Sequence, residues 1–333
     1  MKTNTTCQPK PNSHQTVRWL TYAAANLVTF ACWFAGAEVQ ADTIYFGTNG
    51  AFSNIGMIER FSSDGTDLGT FASIPGFSCR GGAFDSSGNL YVAAGNDTTN
   101  IYTIEKYAPS GTHLGSFATT GLKGIADIIF DGVGNLYVAN YGSPFGNSIR
   151  KFSPAGVDLG TFANAPSIDS YYGLAFDANG NLYASNGSSA IHKFSPTGVY
   201  LGVFANAGLN TVRDIAFDSS GYLYAANNAN NSVEKFSSTG ADLGAFASGA
   251  SIYAPNYLAF DSSGNLYVGN DLVGTIEQFS PSGSDLGLFA SHSPDSIEFI
   301  AVQAAPEPST WALLSLSIAS LLACRRRPSA TGI

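Results

Sequence analysis

An all-β fold, a six-bladed β-propeller of four-stranded antiparallel blades, is what this sequence predicts, and three observations carry the prediction. The stretch FDSSGNLYV stands at 84–92 and again, letter for letter, at 260–268. Its Phe-Asp core recurs with Asp85, Asp131, Asp177, Asp218 and Asp261, spaced by 46, 46, 41 and 43 residues. A second motif, GTDLGTF and its variants, begins at Gly65, Gly111, Gly156, Gly198, Gly240 and Gly283, so six copies accompany five of the first. Short β-rich segments broken by Gly turns at this period are the mark of propeller blades.

The elements of one unit follow in order. Residues 171–205 read YYGLAF, the turn DANG, NLYASN, a loop, AIHKFS, the turn PTG and YLGVFA, which is four strands. In FDSSGNLY, Asp85 is expected to accept backbone amides in an Asx turn, and Gly88 to take the positive φ of a tight hairpin loop. A catalytic group is needed once, a turn once per blade, so the repeated motif is scaffold. Arg60, Lys106, Lys151, Lys193 and Lys235 share a third-strand slot, with Gln278 in the last copy. Seven residues on stand Asp67, His113, Asp158, Tyr200, Asp242 and Asp285. A hairpin brings some of these into cross-strand pairs unless a bulge at the intervening Gly shifts the register by one, and either way they read as blade surface.

The missing motif copy predicts how the ring closes. Residues 43–72 supply only three strands, TIYFG, MIERFS and DLGTFA, and SIEFIAVQ at 296–303 supplies one more. One C-terminal and three N-terminal strands therefore make the sixth blade, and the propeller is expected over 42–303.

Composition agrees and excludes. The 37 glycines, 13% aromatics and only 12% charged residues suit strands and tight turns. The net charge of −9 hides a more acidic middle, with 9 basic against 22 acidic residues between Asp42 and Ala304. Such a surface repels phosphate backbones, so nucleic acid is not an expected partner. Of the four cysteines only Cys79 lies in the body, so no internal disulfide is available and packing must hold the fold.

Both ends read as addresses, expected to be helical. Residues 1–41 place Lys2, Lys10 and Arg18 before the apolar stretch WLTYAAANLVTFACWFAG, and Val39 and Ala41 fit a small-residue cleavage site. This is a secretory signal peptide, with a retained membrane anchor as the alternative. At 304–333, Pro306, Glu307 and Pro308 precede an apolar segment at 311–324 and then Arg325, Arg326 and Arg327. That segment spans roughly 21 Å as a helix, short of a bilayer core of roughly 30 Å, and the arginines hold it at the cytoplasmic side.

This three-part tail resembles the PEP-CTERM sorting signal of Gram-negative bacteria. The resemblance implies recognition by an exosortase-type enzyme, removal of the tail, a transient membrane association, and delivery to the cell envelope or extracellular matrix. The repeats, in the style GLAFD, GNLYVAN, SIRKFSP, resemble those of NHL-type and gluconolactonase-like six-bladed propellers. That resemblance is specific for fold and weak for function, because such folds host many activities.

Chemistry should appear where the repeats disagree. Three and four places before each inner-strand Phe stand Arg80-Gly81, Ala126-Asp127, Tyr172-Gly173, Arg213-Asp214, Asn256-Tyr257 and Glu298-Phe299. These positions begin the strand that lines the channel. Ligand-binding candidates at its mouth are accordingly Arg80, Asp127, Tyr172, Arg213, Asp214, Asn256 and Glu298. Asn140, Asn186, Asn227 and Asn270, in register at the end of the second strand, join them, with strand capping as their alternative role. Glu298, Asp127 and Asp214 with nearby Asn would suit calcium or sugar hydroxyls. No HExxH, GxSxG or cysteine-based site is present, and His113, His192 and His292 fall in different repeats. The expected function is an exported binding or structural module, associated with extracellular polysaccharide or a small molecule and needing no cofactor. The alternative is a calcium-dependent lactonase of the gluconolactonase type.

Overall fold

A computed structural model describes residues 41–49, 55–141, 147–164, 170–292 and 295–305. They form six four-stranded antiparallel sheets, the blades of the expected propeller. Blades 1 to 5 occupy 78–118, 125–163, 174–205, 212–248 and 255–291, each with its strands paired in chain order. Blade 6 is composite. Ser296–Gln303 pairs with Thr43–Asn49, and Ile55–Ser62 and Asp67–Pro75 complete the sheet. The seam is fastened by Asp42, whose Oδ1 accepts the Ala305 N–H at 2.8 Å and whose Oδ2 accepts the Ser262 N–H at 2.6 Å.

The expected signal segment over residues 1–40 lies outside the described residues. So do Pro306, Glu307, Pro308, Arg325, Arg326 and Arg327 of the tail. Among the described residues no helix is long and apolar enough to cross a membrane.

The repeated motif is the joint between blades. Asp85 Oδ1 accepts the N–H groups of Ser87 and Asn89, each at 2.9 Å, and Gly88 takes φ 78°. Asp85 Oδ2 receives the Asn89 amide and the Tyr91 hydroxyl. The Tyr91 ring stands edge-on to Phe117 of its own blade and Phe130 of the next, at 4.9 and 4.8 Å between centroids. Tyr137, Tyr183 and Tyr224 repeat this arrangement at the following interfaces. Phe-Asp and Tyr therefore recur together because the Tyr bridges two blades while the Asp holds its hydroxyl. Each such ring pair adds about 0.5–1.5 kcal/mol beyond burial.

The lysines of the basic slot meet the second strand, whereas Arg60 donates to the Leu68 carbonyl of the fourth. Lys106 Nζ lies 4.8 Å from the Tyr91 ring centroid and 3.5 Å from Asp85 Oδ2, so it packs on the second strand rather than the fourth. Lys151, Lys193 and Lys235 make the same pair, and Lys151 and Lys235 also reach the fourth-strand rings of Phe162 and Phe246 at 5.7 and 5.8 Å. The bulge expected at the fourth-strand Gly is present: Lys106 opposes Gly115, and Tyr107 then opposes His113. It turns the fourth-strand residue seven places on away from the lysine.

Candidate functional site

The inner strands hold the site, and their irregularity creates it. In blade 1 Cys79 opposes Ala94 and Gly81 opposes Ala93, which leaves Arg80 without a partner in the ladder. The same bulge releases Ala126 in blade 2, Asn256 in blade 5 and Glu298 in blade 6. In blade 4 both Arg213 and Asp214 lie between the paired residues Val212 and Ile215. A bulge puts two residues against one and re-aims the extra side chain. Here it presents the first residue of the variable pair to the channel mouth in five blades, and in blade 3 Tyr172 stands just before the strand Leu174–Phe176.

A cavity of about 360 Å³ results. Its lining brings together seven of the expected residues: Arg80, Asp127, Tyr172, Arg213, Asp214, Asn256 and Glu298. Tyr141, Tyr257 and Asp271 complete its polar and aromatic wall. Tyr141 and Tyr172 stack with centroids 5.8 Å apart and planes 4° from parallel. The Arg213 guanidinium stands 4.8 Å from the Tyr172 centroid. Arg80 pairs with Asp97 and donates to the Tyr141 hydroxyl at 3.1 Å. Asn256 donates to Asp271 Oδ2 at 2.8 Å and accepts from Asn228 at 2.8 Å.

Burial sets the protonation of the acids. It pushes the Glu298 carboxyl up to about 7, aided by Asp271 and opposed by the Ser296 hydroxyl and Arg80. Asp271 is raised by burial, with Arg213 drawing it back. Asp127 and Asp214 sit deepest, where the mouth cavity meets a second, more apolar cavity of about 400 Å³ lower in the channel. Desolvation raises both carboxyls, and the charge of Asp214 raises Asp127 further. Asp127 accepts the N–H of Ile128 and of Leu174 in the next blade, and Asp214 accepts those of Ile215 and Leu258. Gly173 permits this: a Cβ there would lie 2.5 Å from the Asp214 Cα.

The four strand-end asparagines are not part of the cavity wall. Asn140, Asn227 and Asn270 are buried and share one task. Each Oδ1 accepts the N–H seventeen residues earlier (Lys123, Asn210, Tyr253), and each Nδ2 donates to the carbonyl nineteen residues earlier (Gly121, Gly208, Ser251). They clamp the incoming loop to the strand end, so the capping alternative describes them. Asn186 spends its Oδ1 on the amides of Ser188 and Ala190. The carboxyls expected to share calcium are not gathered into one set. Among the described residues no three His, Cys, Asp or Glu side chains converge on a metal position.

One set of lining residues escaped the sequence reading although a signal existed. The residue after each of those four Asn also varies between repeats: Tyr141, Gly187, Asn228 and Asp271. In blade 1 Asp97 follows Asn96 at the end of a longer second strand. All five meet the mouth. Asp97 holds Arg80, Asn228 holds Asn256, Tyr141 and Asp271 line the cavity, and Gly187 leaves the space that the Tyr172 ring fills.

Comparison with solved structures places the fold. A chain of the nidogen/laminin complex superposes with a TM-score of 0.65 at 16% identity, covering 79% of this chain and 98% of that one. A protein of unknown function from Bacteroides caccae gives 0.60 at 15% identity, covering 79% and 98%. A streptogramin B lyase gives 0.50 at 17% identity, covering 82% and 76%. These likenesses establish the propeller and nothing finer. No curated protein matches the sequence. Residues 304–327 match the PEP-CTERM protein-sorting motif. Such signals are processed by exosortase-type enzymes, so the chain is an exported, envelope-sorted protein built on a six-bladed propeller.

Proposed function

We propose that this is a binding module of the outer envelope or extracellular matrix of a Gram-negative bacterium, taking a small hydroxylated ligand such as a polysaccharide segment in its channel mouth. The observation that carries the reading is the bulge in the inner strands. The fold repeats everywhere else, yet here it turns Arg80, Asn256, Glu298 and Arg213 into one polar and aromatic cavity. Its volume of about 360 Å³ falls within the roughly 300–1,000 Å³ of small-molecule sites. The N-terminal signal peptide delivers the chain across the inner membrane, and the tail is removed by the exosortase after a transient stay in the bilayer.

A calcium-dependent lactonase would need ionised carboxylates open to the ion. Asp127 and Asp214 are instead engaged by backbone amides and driven by burial toward the neutral acid. Binding without metal is the reading adopted. Calorimetry of the full-length protein in detergent against a panel of neutral and acidic sugars tests it. Saturable binding that is unchanged by chelator and weakened at least tenfold by Tyr172→Ala supports it. Binding abolished by chelator, or lactone hydrolysis restored by calcium, sinks it.

A further inference from the structure

The mouth cavity contains two arginines, and the fold treats them differently. Arg80 is neutralised by Asp97 and held by Tyr141. Arg213 takes part in none of the ion pairs among the described residues. Its Nε is buried without a hydrogen-bond partner. Its backbone is nevertheless fixed, because the Arg213 carbonyl accepts both the Gly173 N–H and the Ser185 hydroxyl at 2.8 Å. The guanidinium is propped on the Tyr172 ring, which is itself stacked on Tyr141. A cation held rigid in a cavity with its donors unspent is a receptor for a planar anion, since the guanidinium fork matches a carboxylate bidentately.

Two of the neighbouring acids do not cancel it: burial favours the neutral form of Asp214 and Glu298, which then offer O–H donors rather than opposing charge. Asn256 and Asp271 are already joined by a hydrogen bond, so they present a fixed polar edge to ring hydroxyls.

We propose that the channel mouth selects a sugar acid, its carboxylate seated on Arg213 and its hydroxyls directed to Asn256, Asp271 and Glu298. This rests on the reading that the cavity binds saccharides and names the class it takes. The probes are glucuronate and galacturonate, against glucose and galactose, in calorimetry on the full-length protein at pH 6. At least one uronate is expected to bind ten-fold or more tighter than its neutral counterpart. Arg213→Gln should erase that preference, bringing the uronate down at least ten-fold to the affinity of its neutral counterpart measured in the same variant, and Arg213→Lys should restore part of it. Equal binding of acid and neutral sugar by the native protein overturns the sugar-acid inference and leaves the saccharide reading standing. No binding of any of the four overturns both. A uronate preference that survives Arg213→Gln places the carboxylate elsewhere and ends the assignment to Arg213.

Discussion

Asp127 of blade 2 accepts the Leu174 amide of blade 3 at 2.8 Å, and two blades on Asp214 does the same for Leu258. Two carboxyls thus strap neighbouring inner strands together, from positions whose counterparts in blades 1 and 3 are Gly81 and Gly173.

These straps make stability depend on pH. Both acids have folded-state pKa values above the ordinary 3.8, because burial penalises the charge. Their contribution is complete below that value and is lost as pH climbs through the raised values. The melting temperature should therefore fall by several degrees between pH 5 and pH 8, at roughly 2–4 °C per kcal/mol for a body of this size. Asp127→Asn should flatten the slope while lowering stability at pH 5, since an amide NH₂ would oppose one backbone N–H. An unchanged slope in that variant refutes the role.

Loss of the closing strand's anchor should be severe. Phe299 is 3% exposed, and its ring occupies the space left by Gly47 and Gly82. Phe299→Ala should cost about 3–5 kcal/mol in denaturant unfolding, as for other large-to-small changes in a packed core. A cost below 1 kcal/mol would show that the seam is not held there.

The asparagine clamps should separate stability from binding. Asn227→Ala leaves the Asn210 N–H unpaired and leaves the Gly208 carbonyl only its second donor, Asn230, at a cost of about 1–3 kcal/mol. Sugar affinity should hold within two-fold. A variant that keeps its stability and loses affinity would return this residue to the site.

Sorting should respond to charge at the tail. Replacing Arg325, Arg326 and Arg327 by Ser removes the positive cluster that the sequence reading expects to hold the apolar segment at the cytoplasmic side. In an exosortase-containing host, the envelope-to-medium distribution or the mature mass should change. Identical fractionation and mass would exclude the tail as the signal.

Most of the fold was legible because each blade needs the same joint. Phe130, Asp131, Gly134 and Tyr137 each serve a contact or turn that recurs in five of the six blades, so repetition in the chain reports repetition in space. Blade 6 was legible from its missing copy. The site was half legible. Disagreement among Arg80, Tyr172, Arg213, Asn256 and Glu298 marked the mouth, but strand alternation alone does not reveal the bulges that turn these side chains into it. The asparagines misled for the opposite reason: their regular spacing reflected a repeated clamp, and the variable residue beside each one carried the lining. The lysines stayed open in the sequence because the spacing matches a partner on either neighbouring strand, and the ring of Tyr91 with the carboxylate of Asp85 decides the matter for Lys106.

The composite sixth blade has a consequence for assembly during export. A chain threaded through a membrane N-terminus first delivers Thr43–Asn49 long before its partner Ser296–Gln303 arrives. Until then the first three strands present an open edge, and blades 1 to 5 form an arc with two bare ends. Ring closure is therefore the last step of translocation. The Asp42 carboxylate then latches Ala305, next to the point where the sorting tail begins, so a closed ring and a presented tail coincide in time.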